Sequence, residues 1–186
     1  MPFDFRSAER VRRHDPGTTL RRRPDDRLPF LGGEARAGTG LLLDTCVYID
    51  QMQGRAPGIV EDLLAIRPVH HSAVALQELM HTVGVLDPAD ARSGRAVASI
   101  GTAIDAMPPH RIVVPDLDVL ARAAVYAGML SRNQGYVRDA RMSALHDCVL
   151  FLQAMKLGFC VLTRNLTDFD LLLQMRPDGR VLFYRT

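Results

Sequence analysis

The sequence predicts an α/β protein, a parallel sheet with helices on both faces. Three observations predict it. Strand-length apolar runs alternate with helix-length segments from about residue 40 onward. Runs such as Leu41-Leu42-Leu43 and Ile112-Val113-Val114 are apolar at every position, as in strands covered on both sides. Gly, Pro and capping residues punctuate the changes from one type to the other.

Leu41-Leu42-Leu43 ends in Asp44 and reads as the first strand. Residues 47–52 and 57–66 follow as two helices, and Arg67-Pro68 closes the second. A brief strand spans 69–71. Ser72 is a good N-cap for a helix over 73–83, which Asp87-Pro88 ends. An Ala-rich helix covers 89–106 and stops before Pro108-Pro109. The helical pair at 73–106 is long for a connection between strands, which predicts a lobe over the sheet edge. After the strand 112–114, Asp116 caps a helix to about residue 131, and Gly135 marks a loop. The helix 139–157 carries Gly158 at its C′ position. Strand 159–162, helix 166–175 and strand 181–184 complete the pattern.

The 186 residues are enough for one domain with a real core. The division expected is an Arg-rich extension over 1–39 and a catalytic-type domain over 40–186. Residues 1–39 carry nine Arg and six acids, so the positive excess of the chain lies there. Their composition suits a mobile solvated tail. A phosphate-contacting arm is the sharper alternative, since Arg is the bidentate phosphate donor. Packing by Phe3, Phe5, Leu28 and Phe30 and a short helix over 7–14 would order part of it. Cys46, Cys148 and Cys160 lie in apolar runs, with no CxxC spacing, which argues against a zinc ribbon or a disulfide scaffold. No apolar stretch is long enough to span a bilayer, and no apolar segment follows the N-terminal Arg pairs. A cytoplasmic protein is expected.

Four acids stand beside apolar runs: Asp44 in LLLDTCVYID, Glu78 in SAVALQEL, Asp147 in LHDCVLFLQAMKLG and Asp168 in TRNLTDF. Unpaired carboxylates are costly in apolar surroundings. Convergence on a shared divalent cation accounts for all four, and hard cations such as Mg²⁺ take oxygen ligands. Taken singly, each has a plainer reading. Asp44 and Asp168 could cap helices. Glu78 on a helix would usually be solvated, but Leu76, Leu79 and Met80 around it weaken that reading. Asp147, between Leu145 and the apolar residues 149–152, is poorly placed for it. Asp139 reads as a cap or helix-dipole acid. His146 adjoins Asp147 but is expected on another face of the helix, so no His base is assigned.

In order and spacing these motifs resemble PIN-domain ribonucleases, and among them the VapC-type toxins of type II toxin–antitoxin systems. The resemblance begins at Asp44-Thr45. It continues with Ser72, Glu78 and Gly84, and closes with Asp147, Gly158, Thr163, Asn165 and Asp168. It covers residues 40–175. The resemblance implies a PIN-like three-layer fold and an endoribonuclease dependent on Mg²⁺ or Mn²⁺. It makes Asp44, Glu78 and Asp147 the main acidic ligands, with Asp168 in support of a second metal or water. Thr45, Thr163 and Asn165 would assist around them. It also implies an RNA substrate, a cognate antitoxin partner and a homodimer, with no membrane. Arg164 is a candidate phosphate contact. Cys46 stands where the family more often has Asn, and Leu150-Phe151-Leu152 is bulkier than usual. An inert PIN-like module that binds RNA or protein is the alternative. An aspartyl phosphotransfer enzyme is disfavoured, because Cys46 occupies the position of its second acid and Lys156 is the only lysine.

Overall fold

Among the described residues five short strands lie side by side: β1 Leu41–Leu43, β2 Val69–Ser72, β3 Ile112–Val113, β4 Cys160–Thr163 and β5 Val181–Phe183. Their order is β3-β2-β1-β4-β5, and every neighbouring pair is parallel. These features come from a computed structural model that describes residues 4–32 and 38–186, with the side chain of Asp139 outside the described set. Leu43 is in register with Leu162 across β1 and β4. That pairing brings Asp44 and Thr163 together at the carboxyl ends of the two central strands, where open α/β sheets place their functional crevice.

Among the described residues eight helices surround the sheet: α1 Phe5–Glu9, α2 Thr45–Met52, α3 Gly58–Ile66, α4 Ala73–Val85, α5 Ala91–Asp105, α6 Leu117–Gln134, α7 Arg138–Leu157 and α8 Leu166–Met175. The strand pleat divides their packing into two cores. Leu42, Val161, Val181 and Phe183 face α6, α7 and α8. Leu41, Leu43, Cys160 and Leu162 face the side covered by α2, α3, α4 and α5. The result is a three-layer α/β/α sandwich. The apolar strands β1, β3 and β5 suit this arrangement, since their side chains meet helices on both faces, whereas β2 carries His70, His71 and Ser72.

The expected caps form. Ser72 Oγ accepts the Val74 N–H at 3.2 Å, and Asp116 Oδ1 accepts that of Val119 at 3.0 Å. Gly135 (φ 67°) and Gly158 (φ 72°) end α6 and α7 in the left-handed region, where a side chain would be strained. Two expectations for the sheet and the helices between its strands fail. The strand 112–114 is shorter, because Val114 has left the ladder and is 76% exposed. The pair α4–α5 does not form a separate lobe. Leu79 and Ile100 pack into the same core as Leu41 and Leu43, so the pair closes one face of the sheet.

The N-terminal segment is a strap docked on the body. Val11 and Leu28 are buried in the core that holds α6–α8. Arg23 donates from its backbone N–H (2.7 Å) and from Nε (2.6 Å) to the fully buried Asp170. Phe30 forms a parallel bridge with Phe183, and Leu31 N–H donates to the Phe183 carbonyl at 2.7 Å. The strap thus covers the outer edge of β5, which would otherwise present unpaired backbone groups. Phe5 is exposed, and Phe3 lies outside the described residues. In place of one helix over 7–14, α1 runs into a 3₁₀ turn over Arg10–His14. No helix among the described residues is long and apolar enough to cross a membrane.

Candidate active site

A cavity of about 820 Å³ opens at the carboxyl end of the sheet, between α2, α4 and α7. It is lined by Asp44, Glu78 and Asp147, with Thr45, Cys46, His81, Arg138, His146 and Asn165 among their neighbours.

Asp44 occupies the N-cap position of α2 yet makes no side-chain cap bond. Its Oδ2 instead accepts the Thr163 hydroxyl at 2.5 Å and the Cys46 thiol at 3.1 Å. Burial pushes its carboxyl above the ordinary carboxylate range, and the Glu78 charge adds to the shift. Cys46 thus supplies one of the two side-chain hydrogen bonds to Asp44, and Arg164 N–H donates to its sulfur at 3.4 Å. Desolvation, with the charge of Asp44, pushes the Cys46 thiol up and keeps it protonated.

Asp147 has the harder environment. Its one hydrogen bond among the described residues comes from Asn165 Nδ2 at 3.2 Å. Desolvation first, then the charges of Asp44, Asp168 and Glu78, push its carboxyl well above the usual range. Asn165 caps α8 and also donates to Asp168 Oδ2 at 2.9 Å, so one amide bridges two acids. Asp168 Oδ1 accepts the Tyr136 hydroxyl at 2.7 Å. Asp168 therefore stands behind Asn165, outside the cavity wall.

Glu78 differs. Burial raises its carboxyl, but hydrogen bonds from His146 (Nδ1, 2.7 Å) and from the Thr45 hydroxyl bring it below the ordinary value. His146 thus reaches the same cavity as Asp147, contrary to the face argument from sequence. The cavity lies between two helices, and a long side chain at the adjoining position reaches sideways to α4. Tyr136, His146 and Arg138 were missed as site residues because their roles depend on how helices pack. The side chain of Asp139 lies outside the described residues.

Arg164 turns away from the cavity. Its Nε donates to the fully buried Asp50 at 2.6 Å, alongside Arg55 (3.0 Å) and the Tyr184 hydroxyl (2.8 Å). The guanidinium that does line the cavity belongs to Arg138.

The donor set suits a hard divalent cation chemically. It is all oxygen, and among the described residues no Lys or Arg forms an ion pair with Asp44, Asp147 or Asp168. The side chains are not, however, closed into a coordination shell. Among the described residues no three His, Cys, Asp or Glu form a ready-made metal group. Thr45 and His146 hold the oxygens of Glu78 that a cation would have to share.

No family model matches the chain, and no curated protein matches its sequence. Solved structures do. VapBC2 from Rickettsia felis bound to a DNA fragment from their promoter aligns over 79% of this chain and 100% of its own, with TM-score 0.53 and 12% identity. FitAcB from Neisseria gonorrhoeae aligns over 77% and 96%, with TM-score 0.52 and 19% identity. VapBC-5 from Mycobacterium tuberculosis, a member of the VapBC family of toxin-antitoxin systems, aligns over 79% and 100%, with TM-score 0.51 and 21% identity. At these identities the likeness is one of fold, and it bears out the PIN-like architecture expected from the motifs.

Proposed function

We propose that this chain is an endoribonuclease that uses Mg²⁺ or Mn²⁺, and that it acts as the toxin of a toxin–antitoxin pair. The observation that carries the reading is the meeting of Asp44, Glu78 and Asp147 around one cavity, with two of the three carboxyls pushed above their ordinary range. Such a group is costly by itself and is relieved by a bound cation. Asp44, Glu78 and Asp147 would hold the metal, with Asp168 supporting it through Asn165. A bound divalent cation supplies a more acidic water and charge stabilisation on a phosphodiester.

This chain's own residues do the rest. Thr163 and Cys46 orient Asp44 by fixing one of its oxygens. Asn165 spaces Asp147 from Asp168. His146 and Thr45 aim Glu78 into the cavity. Arg138 on the rim offers a guanidinium to an RNA phosphate. The structural neighbours are VapBC and FitAcB structures, which supports a protein antitoxin as partner. A homodimer and a cytoplasmic location belong to the same proposal.

The test is RNA cleavage by the purified chain with and without Mn²⁺, beside the Asp44→Ala variant. Metal-dependent cleavage that Asp44→Ala abolishes supports the nuclease. RNA left intact in every condition would favour the second reading, an inert module that binds RNA or protein. The hold of Thr45 and His146 on Glu78 is the observation on that side.

A further inference from the structure

The N-terminal strap builds a second cavity, remote in residues from the first. It measures about 370 Å³ and is lined by Ser7, Arg10, Val11, Arg13, His14, Arg122 and Arg176. Five of these seven are basic and none is acidic, and the acids nearest the wall, Asp118 and Asp178, pair with Arg122 and Arg176. Two segments make it. Ser7 to His14 come from α1 and the 3₁₀ turn, and Arg122 and Arg176 come from α6 and the end of α8. They share no residue with the carboxylate cavity.

The two body arginines are fixed in place. Arg122 pairs with Asp118 at 2.8 Å and donates to Ser7 Oγ at 2.8 Å. Arg176 pairs with Asp178 at 2.7 Å and donates to the Tyr126 hydroxyl at 3.4 Å. The strap arginines are not neutralised. Arg13 Nε reaches only His14, at 3.3 Å, and among the described residues neither Arg10 nor Arg13 has a carboxylate partner. His14 itself is stacked on Tyr126, with ring centroids 5.9 Å apart. Burial first, then the charges of Arg176 and Arg13, hold its imidazole below the ordinary range, with the charge of Asp178 acting against them.

Like charges held around a concavity repel unless an anion joins them. Guanidinium forks match phosphate oxygens bidentately. We propose that this cavity binds the oligophosphate group of a small phosphorylated ligand, with the exposed Arg10 and Arg13 as its unpaired contacts and Arg122 and Arg176 as its fixed ones. A cavity of this volume admits a nucleotide-sized ligand. The strap is then half of a ligand site as well as an edge cover, and two of the nine arginines of residues 1–39 acquire a target.

The test is calorimetric titration of the full chain with pyrophosphate, and separately with ADP, in buffer containing chelator so that the carboxylate cavity cannot contribute through metal. Saturable one-site binding is expected, weakened by at least about tenfold in the Arg10→Gln/Arg13→Gln double variant, because charge-assisted hydrogen bonds are lost. Arg95→Gln on the exposed face of α5 should leave it unchanged. Tighter binding of ADP assigns a nucleotide, and equal binding assigns the free anion; both support the site. A ¹H–¹⁵N spectrum of the wild type with pyrophosphate guards against a misfolded variant. Shifts centred on residues 7–14, 122 and 176 support the site. Absence of saturable binding, equal loss in Arg95→Gln, or shifts centred elsewhere would overturn it.

Discussion

Asn165 Nδ2 stands 3.2 Å from Asp147 Oδ2 and is the sole hydrogen-bond donor that reaches that carboxylate among the described residues. One neutral amide cannot offset three nearby negative charges. Asp147 is therefore held with its proton favoured in the folded state: its carboxyl lies above the unfolded value of 3.8. The folded chain keeps the associated stability below that value and loses it as pH rises through the raised one. Asp147→Asn removes the charge and keeps the shape. In chelator, the variant should melt above the wild type at about pH 8, by an amount on the order of 1–3 kcal/mol, and match it near about pH 4. Excess Mg²⁺ should close the gap, and RNA cleavage should be lost. Equal melting of the two proteins at both pH values would show that the carboxylate is not under strain.

The back of the molecule has a tight spot that the sequence does not announce. A Cβ built on Gly179 would lie 2.2 Å from Phe151 Cζ and 2.6 Å from Cε2. Phe151 is fully buried on α7 and cannot swing aside cheaply. Gly179→Ala should cost about 1–3 kcal/mol in urea unfolding. Gly128 sits within α6 with nothing within 4 Å of its virtual Cβ, so Gly128→Ala should stabilise by about 0.5–1 kcal/mol. Opposite signs for the two alanines are the outcome to look for.

Asp170 has no solvent exposure and relies on Arg23 for two of its hydrogen bonds, with Gln174 supplying another at 2.9 Å. Arg23→Ala leaves a buried carboxylate without its counter-charge and should cost about 3 kcal/mol. Asp170→Asn in the same background should recover part of the loss, because the uncompensated charge goes with it. No recovery would mean that Arg23 acts through packing of the strap alone.

These three cases mark what the sequence could tell. The sheet was legible because Leu41-Leu42-Leu43 and the run before Thr163 are short, apolar and bounded by punctuation. Asp44 and Asp147 are legible as candidate site residues because an acid beside an apolar run is costly unless something pairs with it, and both line the same cavity. The strap is legible in part: Leu28 and Phe30 stand out in the sequence as packing residues, whereas Val11 and Arg23 follow no period and Asp170, the partner of Arg23, lies far along the chain. The partnership of His146 with Glu78 joins two helices, so no spacing within either one encodes it. Arg164 was legible as lying beside the site in sequence, but its side-chain direction depends on a buried acid at position 50.

Arg164 and Arg138 therefore exchange roles, and that exchange can be measured. Arg164 neutralises Asp50 beneath the sheet end, whereas Arg138 lines the cavity from the start of α7. Arg164→Ala leaves Asp50 with Arg55 and Tyr184 and should lower stability by about 2 kcal/mol, less than a full loss because two partners remain. Its effect on RNA affinity, scored on protein confirmed to be folded, should be small. Arg138→Ala should leave the melting temperature nearly unchanged, since its side chain is exposed. It should instead weaken RNA binding and reduce the slope of log affinity against log salt by roughly one counterion, about 0.7 for a single strand. Fluorescence anisotropy with a labelled RNA at several salt concentrations separates the two. An unchanged slope in Arg138→Ala with a reduced slope in Arg164→Ala would restore Arg164 to the phosphate-binding role and remove Arg138 from it.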